Sequence, residues 1–101
     1  MSAYIIFIRE KTLDKSELEQ YWAKIGATFA GHPITVLTAN SKPVVLMGPE
    51  VEAAVIAEFP GIADAEKWYR SDAYQAAAVH SYNGAVYTGI IVEGIPSKSN
   101  N

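Results

Sequence analysis

From Glu58 to Gln75 the chain reads E-F-P-G-I-A-D-A-E-K-W-Y-R-S-D-A-Y-Q, and that order of elements narrows the possible folds sharply. An apolar, strand-forming run ends at Pro60, which removes a ladder donor. A turn follows, and a short aromatic-rich helix is predicted from Ala63 to Arg70. Ser71 can then cap a second helical segment running from Asp72 to about Ser81. A strand handed through a turn to two linked helices fits a layer of helices laid on a sheet.

The rest of the chain supplies the other strands and a longer helix. Ala3 to Arg9 is β-branched, aromatic and almost continuously apolar, which predicts a first strand buried on both faces. Asp14, with Glu17 three residues on, reads as a capping box. After it Leu18, Tyr21, Trp22, Ile25 and Phe29 recur at helical spacing as one apolar stripe. Gly31 and Pro33 stop that helix. Ile34 to Ala39 is predicted as a second strand, Asn40 to Pro43 as a turn, and Val44 to Met47 as an extended arm. Val51 to Phe59 makes a third strand, and Ala85 to Glu93, after the Asn83-Gly84 turn signal, a fourth. The order strand, helix, strand, strand, helix, strand is the α+β, ferredoxin-like βαββαβ pattern: a four-stranded antiparallel sheet with both helices on one face.

Composition excludes several functions. The 101 residues suffice for one domain, expected over 1–95, with a flexible polar tail over 96–101. A net charge of -3 with scattered Lys and Arg offers no basic stripe, so no nucleic-acid partner is expected. Without cysteine there are no disulfides, thiolate nucleophiles or zinc-thiolate sites. The two histidines lie far apart with no third ligand pattern, so neither a metal nor a cofactor is expected. No apolar stretch is long enough for a membrane span or signal peptide, and a soluble cytoplasmic protein is expected.

The helices can cover only one side of the sheet. Tyr4, Ile6 and Ile8 on the first strand, Ala54 and Ile56 on the third, and Tyr87, Gly89 and Ile91 on the fourth are expected on the other. That face measures roughly 350 Å² in projection and is too apolar to remain exposed on a typical soluble monomer. A self-complementary homodimer, sheet against sheet, would bury it.

With those residues in view, the chain resembles the bacterial family catalogued as domain of unknown function 1330, within the dimeric α/β-barrel superfamily. The likeness rests on the opening A-Y-x-I, on E-F-P at Glu58 to Pro60, on A-x-x-W-Y-x-S-x-x-Y-Q from Ala65 to Gln75, and on V-E-G at Val92 to Gly94. It implies a homodimeric α/β barrel with a cavity between two facing sheets. It implies no established activity.

Candidate site residues follow from the expected strand order. Tyr4, Glu58 and Glu93 would approach one end of the sheet, where an apolar setting can raise a carboxylate pKa toward neutrality. Glu58, Glu93, Tyr4 and His80 are therefore the candidate catalytic groups. Tyr4, Ile6, Ile56, Glu58, Trp68, Tyr74, Tyr87 and Ile91 are the candidate ligand-binding set. The structural alternative has both glutamates bonding backbone or pairing with cations at a dimer edge. Trp68 and His80 also resemble groups used by haem-degrading relatives, but the first strand lacks their Asn. Three functions remain: a homodimer binding a small apolar or amphipathic molecule, a cofactor-independent enzyme of lactone isomerase or monooxygenase type, and a purely structural dimer module.

Overall fold

The structure, a computed structural model, describes residues 2–96. Nearly all of the expected 96–101 tail lies outside the described residues. The chain runs β1 (Ala3–Thr12), α1 (Lys15–Ile25), a 3-10 turn (Gly26–Phe29), β2 (Thr35–Ser41), β3 (Ala53–Phe59), α2 (Ile62–Tyr69), α3 (Asp72–Gly84) and β4 (Ala85–Glu93). One antiparallel sheet has the order β2-β3-β1-β4. This is the ferredoxin-like α+β topology.

The expected α/β barrel is not formed. With β1 and β3 central, β2 and β4 are the two outer edges of an open sheet among the described residues. Small closed barrels use about eight strands tilted steeply to the axis. Four strands cannot bring their own edges together.

Local chemistry accounts for the element boundaries. The Asp14 carboxylate accepts from the amides of Ser16 and Glu17, so it caps α1. The reciprocal half of the expected capping box is not made, because Glu17 turns instead toward Gln20, His80 and Asn83. The Asn83-Gly84 pair is the last turn of α3 rather than a separate loop. Its Gly84 carbonyl accepts from the amides of Leu13 and Asp14, tying the end of α3 to the start of α1.

The core lies between the sheet and the helices. Trp68, Phe59, Ile5 and Leu18 are fully buried, each contributing about 1.5–3 kcal/mol of transfer free energy before entropy. Trp68 is the hub, with ring centroids at 4.3 Å from Tyr74, 5.8 Å from Phe59 and 6.0 Å from Phe29. Its indole Nε1 donates to Thr28 Oγ1 at 3.1 Å, and that hydroxyl donates to the Ile25 carbonyl.

A tight elbow joins α2 to α3. Ser71 Oγ donates to the Trp68 carbonyl and accepts from the Tyr74 amide. Gln75 Nε2 donates to the Tyr69 carbonyl at 2.6 Å. The W-Y-x-S-x-x-Y-Q stretch thereby fixes the angle between the two helices.

Candidate functional site

Strand register decides which side chains share a face. Ile5 pairs with Ala57 and Ile91, Phe7 with Val55 and Gly89, and Arg9 with Ala53 and Tyr87. Those residues point toward the helices. Tyr4 pairs with Glu58 and Val92, Ile6 with Ile56 and Ile90, and Ile8 with Ala54 and Thr88. These make up the face the helices leave open. The expected placement of Tyr87, Gly89 and Ile91 on the open face is thus corrected: β4 enters the sheet one residue out of the assumed alternation. A bulge at Glu10 shifts the β1–β4 register between Arg9 and Lys11, an irregularity invisible to simple alternation.

Glu93 is separated from Tyr4 and Glu58 for the same reason. It pairs with Ala3 and takes the opposite parity. Tyr4 and Glu58 do meet, the phenol donating to Glu58 Oε2 at 3.3 Å in a half-buried setting. His80 is elsewhere, at the α1–α3 junction, with Nδ1 3.3 Å from Glu17 Oε1. Trp68 is enclosed in the core. The four candidate catalytic groups therefore occupy three places, and Trp68 and His80 do not lie together. The apolar candidates Ile6 and Ile56 face each other across the open side, whereas Tyr74, Tyr87 and Ile91 lie beneath the helices.

There the structure contains a cavity of about 600 Å³. It sits between β4 and the α2–α3 pair, on the helix-covered side rather than between sheets. Five of the six tyrosines line it: Tyr21, Tyr69, Tyr74, Tyr82 and Tyr87. Ile5, Phe7, Gly89 and Ile91 form its floor, and Ser81 and Ala85 one wall. Arg70, Tyr82, Val86 and Ile90 line it from exposed positions and mark its mouth beside the β4 edge.

The phenols are arranged in two pairs. Tyr21 and Tyr74 hydroxyls lie 3.0 Å apart and are buried, and Tyr69 and Tyr82 hydroxyls lie 3.1 Å apart nearer the mouth. Burial raises the pKa of Tyr21 and of Tyr74 above the ordinary phenol value. The bond to Tyr69, with some burial, pushes Tyr82 up to about 12. All three remain protonated donors at neutral pH. Among the described residues, no carboxylate lines the cavity. The arrangement offers apolar walls, several aromatic faces for stacking and neutral hydroxyls that can donate to an oxygen anion.

Tyr21, Tyr69, Tyr82, Phe7 and Arg70 escaped the sequence reading. Tyr21 and Tyr74 are fifty-three positions apart, and Tyr21 reads as an ordinary stripe residue. One usable signal existed: Gly89 in the middle of an apolar strand marks a close approach or a space. Among the described residues, no group of three or more His, Asp or Glu gathers as metal ligands, and no helix is long and apolar enough to cross a membrane.

A family described as Domain of unknown function (DUF1330) matches residues 2–95. No curated protein matches the chain. Among solved structures, the RPA0582 protein of unknown function from Rhodopseudomonas palustris is similar with a TM-score of 0.73 at 16% identity, covering 95% of this chain and 84% of that one. A dimeric ferredoxin-like protein of unknown function from Thermobifida fusca is similar with a TM-score of 0.63 at 14% identity, covering 90% and 89%. SnoaB, a cofactor-independent oxygenase from Streptomyces nogalater, has a TM-score of 0.60 at 10% identity, with 97% of each chain covered. At these identities the likeness concerns the fold.

Proposed function

The chain belongs to the family described as Domain of unknown function (DUF1330), and from that footing we propose a homodimer whose tyrosine-lined cavities each take a small, flat, acidic aromatic molecule. The observation that carries this is the cavity itself, about 600 Å³ with five phenols around it, within the ~300–1,000 Å³ range of ligand sites. A structural module with a filled interior would have no such space.

The homodimer is the reading that best disposes of the open face. Ile90 and Val92 are 47% and 39% exposed on it, beside half-buried Ile6, Ile8 and Ile56. The dimeric state of the Thermobifida fusca protein of the same fold supports it. In this reading Tyr4 and Glu58 belong to the subunit interface, and the cavity of each subunit is the site.

Of binding alone and catalysis, the likeness to a cofactor-independent oxygenase favours catalysis. The cavity chemistry is compatible with it. An aromatic substrate with an activated methylene ionises by its own acidity: no carboxylate among the described residues lines the cavity, so the proton passes to solvent water at the mouth. It is regained, with the second methylene proton, when the distal oxygen leaves as water. Tyrosine hydroxyls donate to the resulting oxyanion. The carbanion carbon gives its electrons to dioxygen and bonds one oxygen atom; the other oxygen leaves as water. The methylene becomes a carbonyl, losing four electrons, which reduce one O₂ to that carbonyl oxygen and one H₂O.

The test uses a tricyclic phenol with an activated methylene, with fluorescence titration for binding and an oxygen electrode for turnover. Saturable binding with one O₂ consumed per substrate is the expected result. Binding without oxygen uptake would leave a carrier and remove the enzyme. Absence of binding would remove the cavity reading altogether.

A further inference from the structure

We propose that the segment between β2 and β3, residues 42–52, is an arm that closes the tyrosine cavity of a second copy of this chain. The inference rests on the homodimer through open sheet faces put forward above. In its own subunit Pro43, Val45 and Val51 are half-buried, but the tip has little to pack against: Val44, Leu46 and Met47 are 87%, 91% and 90% exposed. Three large apolar side chains so close together and so bare mark an interaction surface.

The arm leaves a fixed base. The Glu52 amide donates to the Arg9 carbonyl at 2.8 Å. The Glu52 carboxylate accepts from Arg9 Nε and from the Thr12 amide, each at 3.1 Å, and from Thr12 Oγ1 at 2.5 Å. Pro43 and Pro49 restrict the backbone at either side of the apolar tip. Direction is therefore set at the root, and the tip is held out from the sheet.

Sheet order determines where the tip lands. A two-fold axis between two stacked sheets, parallel to their strands, lays β2 of one copy over β4 of the other and keeps like ends together. The arm leaves the sheet where Ala53 pairs with Arg9, and Arg9 in turn pairs with Tyr87. That is also the end of β4 where Val86, 44% exposed, lines the cavity mouth. With this axis the apolar tip meets an apolar landing at Val86 and Ile90. An axis across the strands would set the arm over the partner's β2, whose outward residues Thr35, Thr38 and Ser41 are polar. A single subunit accordingly has an open cavity, and the second copy supplies its lid.

The cysteine-free sequence permits a direct test. Leu46→Cys and Val86→Cys subunits carrying different tags are co-expressed and treated with a short bismaleimide. A covalent product bearing both tags is expected, together with several-fold slower entry of an anilinonaphthalene sulfonate dye after cross-linking. A Leu46→Cys subunit paired with Ala63→Cys, at the opposite end of the sheet, should give no product. A dimer by light scattering without the Leu46–Val86 cross-link overturns the arm and leaves the dimer intact. Unchanged dye entry in the cross-linked dimer overturns closure. A chain that stays monomeric overturns the arm and the dimer together.

Discussion

The ring of Phe7 lies across Gly89 so closely that a β-carbon at position 89 would stand 2.8 Å from two ring carbons. The two residues oppose each other in the β1–β4 ladder, and the same ring stacks on Tyr74 at 6.3 Å with planes 10° apart. Phe7 is thereby spread as the cavity floor, with a strand on one side and a tyrosine on the other. Gly89→Ala forces the ring upward into the cavity. Overpacking of this kind costs about 1–3 kcal/mol, measurable by urea unfolding. Dye or ligand affinity should fall in parallel, and unchanged binding would show that the floor can yield elsewhere.

Removing one member of the buried hydroxyl pair should cost more than removing both. Tyr74→Phe leaves the Tyr21 hydroxyl, 3.0 Å away, without its partner in a buried site. An unsatisfied buried polar group costs about 1–3 kcal/mol, whereas deleting both partners can be nearly neutral. The Tyr21→Phe/Tyr74→Phe double variant should therefore recover much of the loss in an unfolding-based mutant cycle. Additive losses would mean that the two hydroxyls are not coupled.

Stability should decline on the alkaline side, and the sign follows from proton binding. Burial holds the pKa of Tyr21 and Tyr74 above the ordinary phenol value. Below pH ~10 folded and unfolded chains both keep these protons, so the contribution is fully present. Above it the unfolded chain releases protons that the folded chain retains, and stability falls by up to about 1.4 kcal/mol per pH unit for each buried phenol. The fall continues until the folded groups themselves titrate. Urea midpoints from pH 8 to 11 should show this slope, and the Tyr21→Phe/Tyr74→Phe variant should flatten it.

A charge at the centre of the open face should separate the subunits. Ile56 opposes Ile6 there, both half-buried even in a single chain. Ile56→Asp would bury an unpaired carboxylate in the proposed interface, at a cost of several kcal/mol. Light scattering at micromolar concentration should find monomer, with the circular dichroism of the fold retained. A persistent dimer would place the interface on some other surface.

Much of the architecture is legible in the sequence because it depends on local signals. Asp14 and Ser71 announce helix starts, and Pro60 announces the end of β3. The stripe of Leu18, Tyr21, Trp22 and Ile25 identifies the face that α1 turns to the core, and Phe29 follows from the 3-10 turn. That the sheet stays open rather than forming the expected barrel was not legible, because closure depends on how far the sheet curls. The faces of β4 were misjudged because the register of a strand depends on its partner, and the bulge at Glu10 shifts it. That shift carried Tyr87, Gly89 and Ile91 under the helices and placed Glu93 away from Glu58. The cavity was hidden for a related reason. It is bounded by Tyr21 from α1, Tyr69 from α2, Tyr74 and Tyr82 from α3 and Tyr87 from β4, and only tertiary packing brings them together. The Glu58 and Tyr4 contact was readable, since those residues oppose each other in the central ladder.

The elbow at Ser71 has a mechanical corollary. Its three bonds, from Ser71 to Trp68 and Tyr74 and from Gln75 to Tyr69, act as a splint across the joint. The two helices that roof the tyrosines can tilt only as one plate, carrying Tyr69, Tyr74 and Tyr82 with them. Cutting the splint, for instance with Gln75→Ala, should let the roof flutter in two halves and blur the spacing on which any selectivity among flat guests depends.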